Sequence, residues 1–421
     1  MPPRQRRALS MPRAPGRVFA DGYRASAEAL VEALRAPQVD HDIADTLTHP
    51  FHSYPARLHP ATARILVELV GVDAGDAPIV DPFCGSGTAL VEARAAGHRA
   101  VGSDLNPLAV LVARAKTWAA SRPRRKQLYQ VGHEITGLTL SAGRAARRAG
   151  HEPAPMRKPE GFDPNARNRR LASWFAPHIR RELELIAGHI DDLRRSDIEL
   201  ADVLTACLSA ILYKVSSRTS DTDGTWVARN VPRGAAARNF AQRVELLAAG
   251  LDDLAHGPAG IPDVIELDAR KLSTKVAAGR AAGIITSPPY AGTYDYADHQ
   301  RLRFDFLALR HRELDAGEIG ARRSYEQDPV AATQAWQAAL ADALDAIART
   351  LGTGRAAAIV IGDSYAQNRA IYALDDVRGA LNDDLVIEAW ASQLRPMFGG
   401  REQRAFGDRP KAEHIVLLRR R

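Results

Sequence analysis

Residues 283–296, GIITSPPYAGTYDY, contain a serine, two prolines and a tyrosine directly after a short apolar run. Proline cannot donate a backbone hydrogen bond, so the pair Pro288-Pro289 ends the predicted strand at that point. Ser287, the two prolines and Tyr290 therefore give a hydroxyl, a stiff backbone poor in donors and an aromatic ring at one strand end. These residue types are suited to holding a ligand, and they are the first candidates for chemistry.

A second candidate group surrounds the glycine-rich sequence DPFCGSGT. It has no lysine at the P-loop position, and the third glycine of a dinucleotide fingerprint is missing after Gly85 and Gly87. Asp104 ends the next predicted strand, where a carboxylate can bind ribose hydroxyls, and Asp81 can pair with a cationic amino group. An adenosine that carries an amino acid, S-adenosylmethionine, fits this set. A glycine-rich helix start without a ligand is the alternative.

DPFCGSGT, SDLNP, TSPPY and HSYPARLHP together resemble the S-adenosylmethionine-dependent amino-methyltransferases of DNA, the N4-cytosine and N6-adenine type with the Ser-Pro-Pro-Tyr motif. The resemblance covers residues 41–115 and 262–421, with the cofactor turn first, and leaves 116–261 unmatched. It implies S-adenosyl-L-methionine as the cofactor and a flipped-out base as the substrate. The expected fold is α/β, a Rossmann-like seven-stranded methyltransferase sheet, mostly parallel with an antiparallel edge strand, and a helical insertion.

The resemblance assigns catalysis to Ser287, Pro288, Pro289 and Tyr290. The Ser287 hydroxyl and the Pro288 carbonyl would accept hydrogen bonds from the amino group, Pro289 would stiffen the backbone, and the Tyr290 ring would stack on the base. The cofactor-binding residues that it implies are His52, Tyr54, Pro55, Asp81, Phe83, Cys84, Gly85, Ser86, Gly87, Thr88, Asp104, Leu105, Asn106, Asp268 and Ala269. A helix N-cap is the alternative role for Asp268. Cys84 is interpreted as a small spacer, and the absence of the Pro-Cys pair of cytosine carbon-5 enzymes argues against a thiolate nucleophile.

Serine in place of aspartate at the first position of the motif favours cytosine N4 over adenine N6, although a hydroxyl tolerates either ring. Tyr294 and Tyr296 are expected to line the base pocket. Arg218, Trp226 and Arg229 belong to a polar stretch, 214–234, that is expected to contact DNA or to be a surface loop. No metal is expected, since a sulfonium leaving group needs no strong base.

Short apolar runs at 78–80, 100–103, 263–267, 282–286 and 356–364 predict the strands that position these residues, and two further strands close the chain. The predicted domains are a basic N-terminal arm and helix (1–40), the cofactor half of the core (41–115), a basic helical insertion for DNA recognition (116–261) and the catalytic half (262–421). From 121 to 180 there are 13 Lys and Arg against 4 Asp and Glu.

The net charge of +7 over 421 residues favours an acidic partner, and we expect double-stranded DNA. Two cysteines and the lack of an apolar run of about 20 residues predict a cytoplasmic protein without a membrane span. The sequence leaves open a homodimer and cognate restriction or defence components. It also leaves open adenine N6 or RNA base methylation, and a non-catalytic DNA-binding protein that kept the fold.

Overall fold

The structure is a computed structural model that describes residues 16–55, 57–149, 171, 174–217, 230–255, 262–407 and 409–421. The first fifteen residues of the predicted arm lie outside the described residues. So do Arg218, Trp226 and Arg229, the three residues of the polar stretch that were expected to contact DNA.

Ten strands are present in the described part of the chain. They are β1 Val18–Gly22, β2 Ile79–Asp81, β3 Ala100–Asp104, β4 Asp263–Glu266, β5 Ala281–Thr286, β6 Leu351–Gly362, β7 Ser364–Ala366, β8 Arg369–Ile371, β9 Leu385–Leu394 and β10 Ala412–Arg420. The runs that were predicted from apolar composition correspond to β2 to β6, and the two closing strands are β9 and β10.

The helices of the same described ranges are α1 Arg24–Val39, α2 Pro60–Val70, α3 Thr88–Ala95, α4 Pro107–Lys116, α5 Arg122–Ala149, α6 Pro177–Arg194, α7 Ile198–Ile211, α8 Ala235–Leu254, α9 Tyr296–His299, α10 Arg301–Leu307, α11 Arg312–Gly317, α12 Arg322–Gln327, α13 Pro329–Thr350, α14 Ala373–Gly379 and α15 Gly400–Phe406. Single 3-10 turns occur at His41–Asp45, His49–Phe51 and Ala269–Thr274.

Eight of the strands form one sheet in the order β1-β9-β10-β6-β5-β2-β3-β4, and β7 pairs only with β8. The strands from β6 to β4 are all parallel, whereas β10 is antiparallel to both β6 and β9, and β1 is antiparallel to β9. The α/β Rossmann-like fold with a mostly parallel sheet and antiparallel pairing towards one edge is therefore confirmed. The sheet has eight strands rather than seven, because β1, in the predicted N-terminal arm, adds to β9.

The carboxyl ends of the parallel strands β5, β2 and β3 meet at one edge of the sheet, as the parallel registers require. This edge carries Asp81, Asp104 and the segment that follows Thr286. In open α/β sheets, ligands bind outside the carboxyl ends of the strands. The topology therefore brings the two sequence motifs to the same edge.

Both faces of the sheet are covered, so its strands are apolar on both sides. In β6, Ile359 and Ile361 belong to the apolar cluster that contains Leu344 of α13, while Val360 belongs to the cluster that contains Leu66 of α2. Alternation of side chains along a strand places these neighbours on opposite faces. Full burial of such a side chain stabilises the fold by about 1.5–3 kcal/mol.

Helices α5 to α8 pack around a further apolar cluster that is shared with the rest of the protein. Phe51 of the 49–60 segment, Ala115 of α4 and Phe306 of α10 all belong to it. The predicted insertion therefore shares a core with the cofactor half. Within the described ranges, no helix is long and apolar enough to cross a bilayer.

Candidate active site

Asp81 and Thr286 connect the glycine-rich turn to the Ser-Pro-Pro-Tyr segment. The Thr286 hydroxyl donates to Asp81 Oδ1 over 2.8 Å, and the Phe83 amide donates to the same oxygen over 3.2 Å. Burial raises the pKa of Asp81 to about 7, against the opposing effect of these two hydrogen bonds. A carboxylate held here without a cation is costly, and a cationic ligand group would stabilise it.

The glycine-rich turn needs glycine at two positions. Gly85 and Gly87 have φ of +48° and +78°, in the left-handed region that other residues rarely adopt. A Cβ on Gly87 would also lie 3.0 Å from the Cβ of Ala113, because the turn packs directly on α4. The turn then leads into α3, whose first backbone amides are the donors that a helix start leaves without intrahelical partners.

The Asp104 carboxylate binds the backbone of the glycine-rich turn and of the start of α4. Its Oδ2 accepts from the Gly85 amide over 2.9 Å and its Oδ1 from the Asn106 amide over 2.8 Å. Burial raises the pKa of Asp104 to about 6. Asn106 caps α4 and donates through Nδ2 to the Tyr54 hydroxyl over 3.1 Å. The Tyr54 ring faces Gly85, where an added Cβ would be 3.6 Å away.

Two buried hydroxyls beside this turn have no hydrogen-bond partner among the described residues. They are Ser86 Oγ and Thr88 Oγ1, both in the sequence CGSGT. Buried polar atoms in native proteins are nearly always paired, so these two indicate a polar ligand. Together with the raised pKa values of Asp81 and Asp104, they fit a ligand that has an amino group, hydroxyls and a carboxylate, as S-adenosylmethionine has.

The Ser-Pro-Pro-Tyr segment is held from three directions. Trp336 of α13 donates through Nε1 to the Pro289 carbonyl over 2.9 Å. The Tyr290 hydroxyl donates to Glu413 Oε1 over 3.0 Å, and its ring lies against Gly362, where an added Cβ would be 2.7 Å from Tyr290 Cε2. Burial raises the pKa of Tyr290 to about 12, with Ser287 and Arg395 acting in the opposite direction.

Glu413, in turn, forms an ion pair with Arg395, and both side chains are at least nine-tenths buried. The carbonyl of Pro288 accepts no hydrogen bond from any residue that the structure describes. The Pro288 carbonyl thus remains available at the end of β5 beside a fixed aromatic ring, and the Ser287 side chain lies within hydrogen-bond reach of the Tyr290 hydroxyl.

The tyrosines after the motif are also brought to this edge. The rings of Tyr294 and Tyr296 have centroids 5.7 Å apart. Burial raises the pKa of Tyr296 well above its usual value, and Tyr294 and Asp104 add to the effect. The buried Glu318 accepts from the Tyr296 amide and pairs with Arg323 over 2.7 Å. This arrangement fixes the loop that was expected to line the base pocket.

Among the expected cofactor residues, Gly85, Asp104, Asn106 and Tyr54 are linked by the hydrogen bonds above, and Asp81 is bonded to Phe83 of the same turn. Phe83, Cys84, Ser86, Gly87 and Thr88 belong to the same turn. Leu105 and Asp268 both lie near Gly317, since a Cβ there would be 2.8 Å from Leu105 Cδ2 and 4.0 Å from Asp268 Oδ2. Ala269 is buried directly after Asp268, and Pro55 lies next to Tyr54 in the chain.

Two of the expected cofactor residues have other partners. His52 contacts Ser209 Oγ of α7 through Nε2 over 3.0 Å, so it faces the helical segment on that side. Asp268 caps the Ala269–Thr274 turn and pairs with Arg270 over 2.5 Å. Burial opposes ionisation of Asp268, yet the Arg270 hydrogen bonds keep its pKa below the usual value. Its N-cap role is thus present, and its contact with a cofactor stays a prediction.

Cys84 is a buried thiol that packs against Gly102. Burial raises the pKa of Cys84 well above its usual value, and the nearby Asp104 and Asp81 add to the effect. The thiol is therefore protonated and a poor nucleophile. This supports the interpretation of Cys84 as a small spacer.

Thr286, Trp336, Gly362, Arg395 and Glu413 were missed by the sequence reasoning. Only Thr286 had a local signal, since it directly precedes Ser287 at the end of a predicted strand. The other four come from distant parts of the chain.

Comparison with known proteins shows similarity to methyltransferases over part of the chain. Residues 50–150 match a family model described as UPF0020, RMKL-like, methyltransferase domain. The Type II methyltransferase M.MvaI of Kocuria varians is 29% identical over 155 residues, which are 36% of this chain and 31% of that protein.

The tRNA (guanine(10)-N2)-dimethyltransferase of Methanothermobacter thermautotrophicus (strain ATCC 29096 / DSM 1053 / JCM 10044 / NBRC 100330 / Delta H) is 51% identical over 53 residues, 13% of this chain and 16% of that protein. The chain thus spans less than a third of the length of these curated relatives. The solved structure of TrmN from Thermus thermophilus has a TM-score of 0.32 and 11% identity, covering 86% of this chain and 49% of that one. This likeness is too weak to carry an argument.

Proposed function

We propose that the protein transfers a methyl group from S-adenosyl-L-methionine to the exocyclic N4 amino group of a flipped-out cytosine in DNA, at specific sequences. The observation that carries the proposal is the junction at the sheet edge. There, Thr286 bonds to Asp81 over 2.8 Å and directly precedes Ser287, so the glycine-rich turn and the Ser-Pro-Pro-Tyr segment form one site. The similarity to a Type II methyltransferase and to a methyltransferase domain family supports it.

The residues of the turn would hold the cofactor. Asp81 suits the amino group, Asp104 the ribose hydroxyls, and the unpartnered hydroxyls of Ser86 and Thr88 the carboxylate. Bound here, S-adenosylmethionine supplies an electrophilic methyl group.

Ser287 and Pro288 would act on the target amine. An amino group that is conjugated into a base has a delocalised lone pair and is a poor nucleophile. Acceptance of its N–H hydrogen bonds by the Ser287 hydroxyl and the Pro288 carbonyl would favour a pyramidal nitrogen with a localised lone pair. Tyr290 would stack on the flipped base, and its own ring is fixed by Glu413 and Gly362. Correct placement of such groups accelerates transfer by restricting the reactants to a productive geometry.

The experiment expresses the full chain in a host, digests the genomic DNA and quantifies modified nucleosides by mass spectrometry. Ser287→Ala, which removes one acceptor at the site, is compared with Ser196→Ala, a serine in the link between α6 and α7. A rise in N4-methylcytosine with the wild type and Ser196→Ala, but not with Ser287→Ala, supports the proposal. A rise in N6-methyladenine keeps the mechanism and overturns the choice of base. Unmodified DNA overturns the proposed substrate.

Methylation of a base amino group in RNA is the second candidate, because the chain shares a 53-residue stretch at 51% identity with a tRNA (guanine(10)-N2)-dimethyltransferase. The same arrangement of acceptors and stacking ring serves any exocyclic amine. Digestion of total RNA from the same cultures tests it directly. New methylated nucleosides in RNA, absent from the Ser287→Ala culture, would favour this candidate over DNA.

A further inference from the structure

The segment between β9 and β10 presents a basic surface next to the Ser-Pro-Pro-Tyr segment. We call the side chains of Arg369, Phe398, Arg401 and Arg404 the arginine patch. All four residues are exposed, and Phe398 exposes 67% of its surface. Arg369 joins the patch because β8 packs against α15. None of these features belongs to the site described above.

The patch lies at the catalytic edge of the sheet. β9 runs in the same direction as β6, so the segment after Leu394 leaves the sheet at the edge where β6 ends beside Tyr290. Arg395 pairs with Glu413, which accepts from the Tyr290 hydroxyl. Three residues span at most about 11 Å, so Phe398 lies within that Cα distance of Arg395.

The segment that carries Phe398, Arg401 and Arg404 is held in place by buried side chains and hydrogen bonds. Phe406 and Glu402 are buried, and the Tyr372 hydroxyl donates to the Phe406 carbonyl over 3.1 Å. The Phe398 amide donates to Glu402, which also binds Lys411 over 2.9 Å. Gly399 has φ of +97°, a conformation that favours glycine at the residue before α15. The exposed side chains are therefore presented by an ordered segment.

The charge of the patch is not balanced locally. Glu402 is engaged by Lys411, and Asp375 by Arg409. Arg369, Arg401 and Arg404 form no ion pair with any carboxylate that the structure describes. Uncompensated guanidinium groups around an exposed aromatic ring have the composition of a polynucleotide contact, where arginine binds phosphates and the ring stacks on a base.

We infer that the arginine patch binds the DNA strand that carries the target base, with Arg369, Arg401 and Arg404 on phosphates and Phe398 against a base next to the flipped nucleotide. This inference rests on the proposed function. It gives the protein a DNA contact on the catalytic half, separate from the basic helical segment that the sequence singled out.

The first experiment measures the salt dependence of binding to a fluorescein-labelled DNA duplex by anisotropy, with the full chain and S-adenosylhomocysteine. Each phosphate contact on duplex DNA contributes about 0.9 to the slope of log affinity against log salt. The double variant Arg401→Ala, Arg404→Ala is expected to reduce the slope by about 2. The control, Arg35→Ala with Arg99→Ala, removes equal charge on α1 and at the amino end of β3, and should leave the slope unchanged.

The second experiment replaces the ring. Loss of one base–aromatic stacking contact weakens binding about tenfold, so Phe398→Ala should bind DNA about tenfold more weakly, and Phe398→Trp should restore binding. Tyr23→Ala, which removes an aromatic ring of equal exposure beside the middle of β9, should bind like the wild type. Unchanged affinity for S-adenosylhomocysteine checks that each variant is folded and that its cofactor turn is intact.

The outcomes separate this inference from the proposed function. If the wild type methylates DNA while the patch variants bind and methylate DNA as well as it does, the inference is wrong and the proposed function stands. An equal loss of slope in the Arg35, Arg99 control also overturns the inference. If the wild type modifies only RNA, the proposed DNA substrate is wrong, and the inferred DNA contact is wrong with it.

Discussion

The substitution Asp81→Asn is expected to stabilise the protein at neutral pH while it removes the partner for a cationic ligand. Burial raises the pKa of Asp81 from 3.8 to about 7. A difference of about 3 pKa units corresponds to about 4 kcal/mol of free energy of unfolding. Asparagine keeps the Oδ1 acceptor for Thr286 and Phe83 and carries no charge, so it avoids the cost of a buried carboxylate.

The pH dependence follows from the direction of the shift. The folded-state pKa lies above the unfolded one, so the protonated carboxyl favours folding fully below pH about 3.8, and that advantage is lost as the pH rises through about 7. The stability gained by Asp81→Asn should therefore be smallest near pH 4, grow up to pH 7 and then level off at about 4 kcal/mol. Urea unfolding of both proteins across this range measures it.

The same carboxyl should make ligand binding pH-dependent. With a pKa of about 7, about a tenth of Asp81 is ionised at pH 6, so the wild type should bind S-adenosylhomocysteine about tenfold more weakly at pH 6 than at pH 8. Asp76→Asn, which alters an exposed aspartate before β2, is the matched control for both assays. A stability difference for Asp81→Asn that does not vary between pH 4 and 8 would refute the reasoning.

Three further substitutions test the support of the site. Gly362→Ala puts a Cβ 2.7 Å from the Tyr290 ring and should lower kcat about a hundredfold while circular dichroism stays unchanged. Trp336→Phe removes the donor to the Pro289 carbonyl and should lower the free energy of unfolding by about 1–3 kcal/mol in urea, with a lower kcat. The Cys84→Ala variant should methylate DNA at the wild-type rate, which would exclude a covalent thiolate intermediate. A folded but inactive variant would contradict the spacer role of Cys84.

The ends of the strands could be predicted from sequence because their signals are local. The proline pair after Thr286 stops β5 by removing two backbone donors, and the left-handed conformation of Gly85 and Gly87 requires glycine. Parallel strands then bring such ends to one edge without further information. The glycine-rich turn and the Ser-Pro-Pro-Tyr segment were therefore both foreseen at strand ends, but their contact through Thr286 was not.

The residues that hold Tyr290 could not be predicted in this way. Glu413 lies 123 positions from Tyr290, and Trp336 lies 47 positions from Pro289. An isolated glutamate or tryptophan in a helix or strand has no local pattern that indicates its partner. β1 was missed for the same reason. Its five residues follow a basic stretch and pair with β9, which lies more than 360 positions away in the sequence.

His52 shows that neighbours in one motif can contact different elements. It lies two residues from Tyr54, which faces Gly85, yet a His52 ring nitrogen contacts Ser209 of α7. Residues two apart in a regular extended segment point to the same side, but the Tyr54 amide donates to the His52 carbonyl over 3.2 Å, so the chain turns between the two side chains. The described residues of the 49–60 segment therefore lie between the helical segment and the glycine-rich turn, with His52 on one side and Tyr54 on the other.

Residues 50–54 contact both helix α8 and the glycine-rich turn. Arg243 of α8 donates to the carbonyls of Pro50 and Phe51, each over 3.1 Å, while Tyr54 of the same segment lies on Gly85. A movement of α8 that breaks these two hydrogen bonds would therefore alter the backbone three residues before Tyr54. Because coupling between two binding sites is reciprocal, any effect of nucleic acid on cofactor affinity through α8 has an equal effect in the other direction.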